Sequence, residues 1–476
     1  MNRKICRQIS LFVTLAFLFV FWSQADQASA QVDLQLNLVG DRAGAPYRIV
    51  VPANWNGTLL LYARGTGSIA IADEDGQLIT LGVTPLTNVP GVVDEQGLPD
   101  NGPALQLEQT LLGMGYALAA SDYSDPLFRE TGLLGWVVKA GIKDTLALTS
   151  LFKKMVGQPA RTILWSRSQG TLVALKSIER FPAKSRIYDG VIAGCALGAG
   201  ANRSWDSAVA FSLAYDVAFK DDGGWLWGTV GDVDNNVVFG GIDDSGMWFG
   251  DVFPTLLSQV SVPTNFGRFE FIRLVSKLPV AGFYPFHGIP NLDPSFSWLF
   301  ADMLFATEVR ADVERKAHGH VGQNLDHFYA LTDPEKAYLE NLGVDADQLL
   351  DEMNMRTNIE ASRQGTSYLR RYADFSGKIS APVLTMHTTI DGLVLPAQQT
   401  VYLETVEAAN TSEKLVQVFV NSVGHCTFTP EQWLATVEAM DYWLTTGERP
   451  GGEFFEEGDG FVSFDPGPYP QPPQEP

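Results

Sequence analysis

Thr162-Ile163-Leu164-Trp165-Ser166-Arg167-Ser168-Gln169-Gly170 is the stretch from which the rest of the chain is read. Thr162–Trp165 is a short apolar run suited to a buried strand, and Gly170 to about Arg180 has helical spacing, ended by Pro182. Only Ser166–Gln169 separates the two, so strand turns into helix within a few residues. Such an elbow tolerates only small side chains two before and two after its apex, and the chain supplies Ser166 and Gly170 there. A serine in this place could simply cap the helix. Context favours a nucleophile: a buried strand before it, a helix after it, and partner residues downstream in the required order.

Outward from the elbow, strands and helices alternate. Leu34–Leu38, Tyr47–Val51, Thr58–Ala63 and Tyr116–Ala120 read as strands. Ala104–Leu112 and Gly141–Met155 read as helices, and the Gly- and Pro-rich stretch before Pro103 as a long loop. Gly190–Ala193 follows as a strand, and the alternation resumes with strands at Ala381–His387 and Lys414–Phe419 and a helix at Glu431–Thr445. The pattern predicts an α/β fold with a mostly parallel sheet covered by helices. Residues 199–377, rich in Trp, Phe and Gly, break the alternation with helical patches near Phe296–Phe305, Pro334–Leu342 and Asp345–Met353. A segment of that size reads as a cap inserted between the two halves of one sheet, 31–198 and 378–447, not as a loop. Residues 448–476 form a Pro-, Gly- and Glu-rich tail expected to be poorly ordered.

A nucleophilic serine needs a base and an acid to orient it. Of six histidines, only His425 follows the last strand, in Gly424-His425-Cys426. Asp391 follows the preceding strand; Asp391-Gly392 is also an ordinary turn signature, and Asp122 is a competing acid that precedes the serine in the chain. The oxyanion site is expected from the backbone N–H of Gln169 and from the loop after Thr58–Ala63, with Thr66 first and Gly65 second. No metal or organic cofactor is called for. Asp232-Val233-Asp234-Asn235-Asn236 begins like a calcium loop, but Val237 stands where Gly is needed. His318-Gly319-His320 reads as a solvated loop. Trp225, Trp227, Met247, Trp248 and Phe249 suit either a substrate pocket or plain packing.

Residues 1–30 read as a cleaved signal peptide: Arg3, Lys4 and Arg7, an apolar run from Ile9 to Trp22, then Ala28-Ser29-Ala30. That run is shorter than the ~20 apolar residues needed to cross a bilayer, so no stable membrane anchor is expected, and the chain reads as secreted or periplasmic. Cleavage removes three bases and one acid, taking the formal net charge from −22 to −24. Such a field disfavours nucleic acid and anionic lipid, and points to neutral or cationic substrates. Two cysteines then remain, Cys195 and Cys426, an even pair in an oxidising compartment.

Val51-Pro52-Ala53-Asn54-Trp55-Asn56-Gly57-Thr58-Leu59-Leu60-Leu61-Tyr62-Ala63-Arg64-Gly65 resembles the opening of secreted bacterial α/β-hydrolases of the esterase, lipase and polyester-depolymerase kind, with Arg64 where His is usual. The resemblance covers the core segments and implies an α/β-hydrolase fold with Ser168, Asp391 and His425 as its triad, acting on a small or polymeric ester. The His425-Cys426 pair is similar to that of tannases and feruloyl esterases, in which a cysteine beside the nucleophile bonds one beside the histidine. Here Arg167 precedes Ser168, but Cys195 ends the strand after the nucleophile helix, and a Cys195–Cys426 disulfide is expected. An exported serine peptidase on the same fold, or a non-catalytic binding protein, are the alternatives. Acyl and alcohol specificity and oligomeric state are not encoded in any motif.

Overall fold

In the computed structural model, which describes residues 32–73, 77–89, 100–125, 135–181, 186–227, 248–279 and 297–472, the strand before Ser168 is central in a nine-stranded sheet. The strands are β1 (Leu34–Arg42), β2 (Ala45–Pro52), β3 (Thr58–Ala63), a separate hairpin of β4 (Ala70–Ala72) and β5 (Leu78–Leu81), then β6 (Ala117–Ser121), β7 (Arg161–Arg167), β8 (Gly190–Gly194), β9 (Val383–Ile390), β10 (Leu415–Val423) and β11 (Phe461–Val462). Their spatial order is β1-β2-β6-β3-β7-β8-β9-β10-β11. From β6 to β10 every pair is parallel; β1–β2, β2–β6 and β10–β11 are antiparallel. The central strands read as unbroken apolar runs because both faces are covered: all six residues of β3 and all five of β8 are buried.

The covering helices are α1 (Gly102–Gly113), α2 (Val138–Met155) and α3 (Gly170–Arg180) in the first half. Leu175 and Ile178 of α3 share one buried cluster with Leu61, Leu164 and Val191 of the sheet. Strand order, parallel register and the β7–α3 elbow make this an α/β-hydrolase fold.

Between β8 and β9 the described residues contain helices and no strand: α4 (Gly200–Ala218), α5 (Phe253–Val260), α6 (Phe266–Val275), α7 (Ser297–Leu304), α8 (Arg310–Ala317), α9 (Asp333–Asn341), α10 (Ala346–Asn354) and α11 (Arg363–Tyr372). This segment has its own core, in which Tyr215 of α4 stacks on Phe219 and meets Trp225 and Trp227 edgewise or tilted. Helix α4 escaped the sequence reading because it is buried on nearly all sides, which erases the polar stripe that marks a surface helix. After β9 come α12 (Gln398–Ala408), also unforeseen, and α13 (Pro430–Thr446), opened by a capping box between Thr429 and Gln432. The stretch before Pro103, expected to be a loop, includes the β4–β5 hairpin.

Glu308 lies in the turn between α7 and α8 and accepts a hydrogen bond from the Trp248 N–H at 3.1 Å. Burial pushes its carboxyl up to about 7, against that hydrogen bond, with Asp312 adding repulsion. A carboxyl raised in the folded state penalises folding as pH climbs from its unfolded value toward 7, and fully above it. Glu308→Gln, which keeps an acceptor for Trp248, should therefore stabilise the protein by on the order of 2 kcal/mol at pH 8 and hardly at pH 4. Equal urea midpoints for variant and parent at both pH values would refute this.

The tail is more ordered than its composition suggested. β11 extends the sheet, pairing Phe419 with Val462 and Val420 with Phe461. Tyr469 packs under the Arg203 guanidinium, 5.2 Å from ring centroid to cation, and exchanges a 2.7 Å hydrogen bond with Ser207. The reason is aromatic anchoring: Phe454, Phe455, Phe461 and Phe464 all make ring contacts that a Pro/Gly count overlooks. Residues 1–30, read as a signal peptide, lie outside the described residues, as does the calcium-like stretch from Asp232. Among the described residues no helix is long and apolar enough to cross a membrane.

Candidate active site

Ser168 sits at the apex of the β7–α3 elbow with φ +52°, a left-handed conformation that non-glycine residues adopt at a cost. Its N–H donates to Gly194 O at 3.0 Å, which ties the apex to β8. Two features of the sequence permit the turn. Ser166 is fully buried between Ala63 and Ala193 in register, with its hydroxyl donating to Ile192 O at 3.3 Å. Gly170 faces backbone: a Cβ there would come within 2.7 Å of the Arg64 carbonyl carbon and closer still to the Ala63 and Arg64 carbonyl oxygens.

The structure brings Ser168, His425 and Asp391 together across a sequence separation of 257 residues. His425 Nε2 is 2.8 Å from Ser168 Oγ, and Nδ1 is 2.8 Å from Asp391 Oδ2. With Nδ1–H donating to the carboxylate, Nε2 is left to accept the serine proton. Asp391 is fully buried and is also the turn aspartate its sequence suggested, since Oδ1 accepts from the Leu393 and Val394 N–H groups at 2.9 Å each. Burial alone would push this carboxyl up. The His425 charge and hydrogen bonds from His387 and His425 outweigh burial and hold it well below the usual carboxylate range.

His387 was not singled out by the sequence. It is fully buried four residues before Asp391, with Nε2 2.9 Å from Val394 O and 3.5 Å from Asp391 Oδ2. Gln399 Nε2 donates to both Ala196 O (2.9 Å) and His387 Nδ1 (3.0 Å), so Nδ1 is the acceptor and Nε2 carries the proton. His387 thus faces Asp391 as a donor. Its signal was its i,i+4 place relative to Asp391 at the end of β9.

Asp122, the competing acid, is engaged elsewhere. It pairs with Arg64 Nε at 2.9 Å and accepts from Ser68 Oγ (2.7 Å) and the Ile69 N–H (3.0 Å). Arg64 in turn donates to Gly65 O (3.0 Å) and Gly67 O (2.6 Å) and lies 4.7 Å over the Tyr123 ring. This residue, which departs from the resemblance, fixes the carbonyls of the loop bearing Gly65 and Thr66. Gly65 lies against the elbow, where a Cβ would meet Ser168 Cβ at 3.2 Å, and the Thr66 hydroxyl is buried without a partner. Gln169 is buried at the start of α3, with Oε1 accepting from the Val137 N–H at 3.1 Å.

Cys195 and Cys426 form a disulfide, with Cα atoms 5.4 Å apart. Both hold positive φ (+44° and +61°), one at the end of β8 and one directly after His425. The bond closes 231 residues of chain and pins the histidine loop to the strand beside the elbow.

Ser168 and Gln169 open into a cavity of about 870 Å³, counting its solvent-open part, walled by Trp136, Trp205, Phe211 and Phe305 and by Tyr469 of the tail. Trp225, Trp227 and Trp248 are not in these walls; they pack in the core of the helical segment. Met247 and the Phe249 side chain lie outside the described residues.

No family model matches the chain. It is similar to the o-phthalyl amidase of Xanthobacter agilis, 29% identical over 115 residues, which are 24% of this chain and 25% of that protein. The chain thus aligns with only about a quarter of this relative's length. Among solved structures it is similar to a proline iminopeptidase of Mycobacterium smegmatis (10% identity, 87% of this chain and 100% of that one, TM-score 0.36). It is also similar to brefeldin A esterase, described as a bacterial homologue of human hormone-sensitive lipase (12%, 92% and 82%, 0.37), and to Candida antarctica lipase A in its closed state (11%, 88% and 82%, 0.35).

Proposed function

We propose that this protein is an exported serine hydrolase that cleaves carboxylic esters through an acyl-enzyme. The observation that carries the reading is the unbroken hydrogen-bond chain from Asp391 through His425 to Ser168 Oγ. His425 Nε2 takes the hydroxyl proton as Oγ attacks the ester carbonyl, and Asp391 holds the ring and offsets the imidazolium charge. The tetrahedral oxyanion is held by backbone N–H groups of Gln169 and of Thr66 or Gly65. His425 then returns the proton to the departing alcohol, and water, deprotonated by the same ring, releases the acid. The helical segment between β8 and β9 serves as a cap that screens the cavity. Export is supported by the disulfide, which suits an oxidising compartment, and by the residue pattern of 1–30.

The amidase similarity favours one second reading, hydrolysis of an amide through the same residues. Nitrophenyl esters of graded acyl and aryl acids, assayed beside the matching anilides, separate the two. Ester turnover with no detectable turnover of the matching anilides supports the esterase reading; anilide hydrolysis that Ser168→Ala abolishes assigns the chain to amide hydrolysis. Absence of a fluorophosphonate adduct at Ser168 would leave a binding protein.

A further inference from the structure

Among the described residues lining the cavity, one carboxyl stands outside the Ser168 chemistry. Asp302, on α7, lines the same cavity as Ser168. Its Oδ2 is buried with no hydrogen-bond partner, and the residue stays partly exposed to the cavity. Among the described residues lining that space there is no Lys, Arg or His, so nothing there neutralises a carboxylate. A buried carboxyl oxygen left without a partner opposes folding unless a water, an ion or a ligand completes it, and in a cavity that opens onto Ser168 a ligand can do so. Burial, with the negative Asp391 in range, holds this carboxyl well above the ordinary value.

The ligand that would complete it is a cation. A carboxylate gains most from a charge-assisted hydrogen bond in a water-poor site, and aromatic faces add cation–π attraction to a desolvated ammonium. The formal charge of −22 draws cations toward the molecule as a whole.

We propose that Asp302 is the specificity determinant of this cavity, and that the preferred substrates carry an ammonium group on an aryl or alkyl frame held by Trp136, Trp205, Phe211 and Phe305. This rests on the reading of Ser168 as the nucleophile. Asp302 makes no bond in the reaction; it pairs with the cation while Ser168 acts on the carbonyl.

Two ligand pairs test it. Ethyl p-(aminomethyl)benzoate and ethyl p-ethylbenzoate have the same shape and differ in charge, and benzylamine and benzyl alcohol do the same without a scissile bond. The parent enzyme should prefer the cationic ester by roughly tenfold or more in kcat/KM and bind benzylamine more tightly than the alcohol by calorimetry. Asp302→Asn should bring both ratios near unity. Equal use of the two esters by the parent, or a preference that survives in Asp302→Asn, overturns the proposal, and the parent comparison holds even if the variant folds poorly. Amine binding to Ser168→Ala that depends on Asp302, with no fluorophosphonate adduct in the parent, would keep the pocket and discard the esterase reading. A Ser168 adduct without amine preference would do the reverse.

Discussion

Ser168→Ala is expected to lower kcat for ester hydrolysis by roughly 10⁴–10⁶-fold, because the imidazole and carboxylate act only through that hydroxyl. Its residual rate should match that of a Ser168→Ala/His425→Ala double variant. Ser168→Gly should be as inactive yet more stable than the parent, by about 1 kcal/mol, since glycine adopts φ +52° freely. Both quantities are read from initial rates on a nitrophenyl ester and from urea midpoints. Activity within tenfold of the parent in either variant would remove Ser168 from the mechanism. A Ser168→Gly protein less stable than the parent would show that the apex is not strained.

Gly170→Ala should be strongly destabilising. The added carbon meets the Arg64 carbonyl group and Ala63 O, all main-chain atoms at the end of β3, and a strand hydrogen-bonded on both sides cannot step back. Overpacking of this kind costs about 3 kcal/mol or more. Gly113→Ala, at the end of α1 with open space where the added Cβ would stand, is the matched control and should be neutral or slightly stabilising. If the two variants unfold at the same urea concentration, the tight approach of α3 to β3 is not what fixes the elbow.

The parts of the fold legible in the sequence were those where one residue type satisfies a single constraint. The β7 run, the small residues at 166 and 170 and the continuous apolar β3 each had one physical reading, and the strands and the elbow lie where that reading put them. The opposite holds for α4, whose burial on nearly all sides left no periodic contrast to detect. The tail misled for a related reason: its prolines and glycines outnumber its aromatics, but Phe461 and Tyr469 are what anchor it. Of the site, the serine, acid and histidine could be ordered along the chain because each follows a strand. His387 and Asp302 could not be found that way. Their importance comes from what surrounds them, a carboxylate 3.5 Å away in one case and an apolar cavity in the other.

The position of β9 and β10 so late in the chain has a consequence for biogenesis. When the ribosome has made the first 200 residues, the serine can already sit on its turn, but its base lies 257 positions further on and the cysteine that clamps that base lies 231 past its mate. Contacts of such range form slowly, because a long stretch of chain must be ordered before they are made. A nascent or prematurely truncated polypeptide therefore lacks the Ser168–His425–Asp391 contacts, which form only once β9, β10 and the loop carrying His425, all beyond residue 382, have docked.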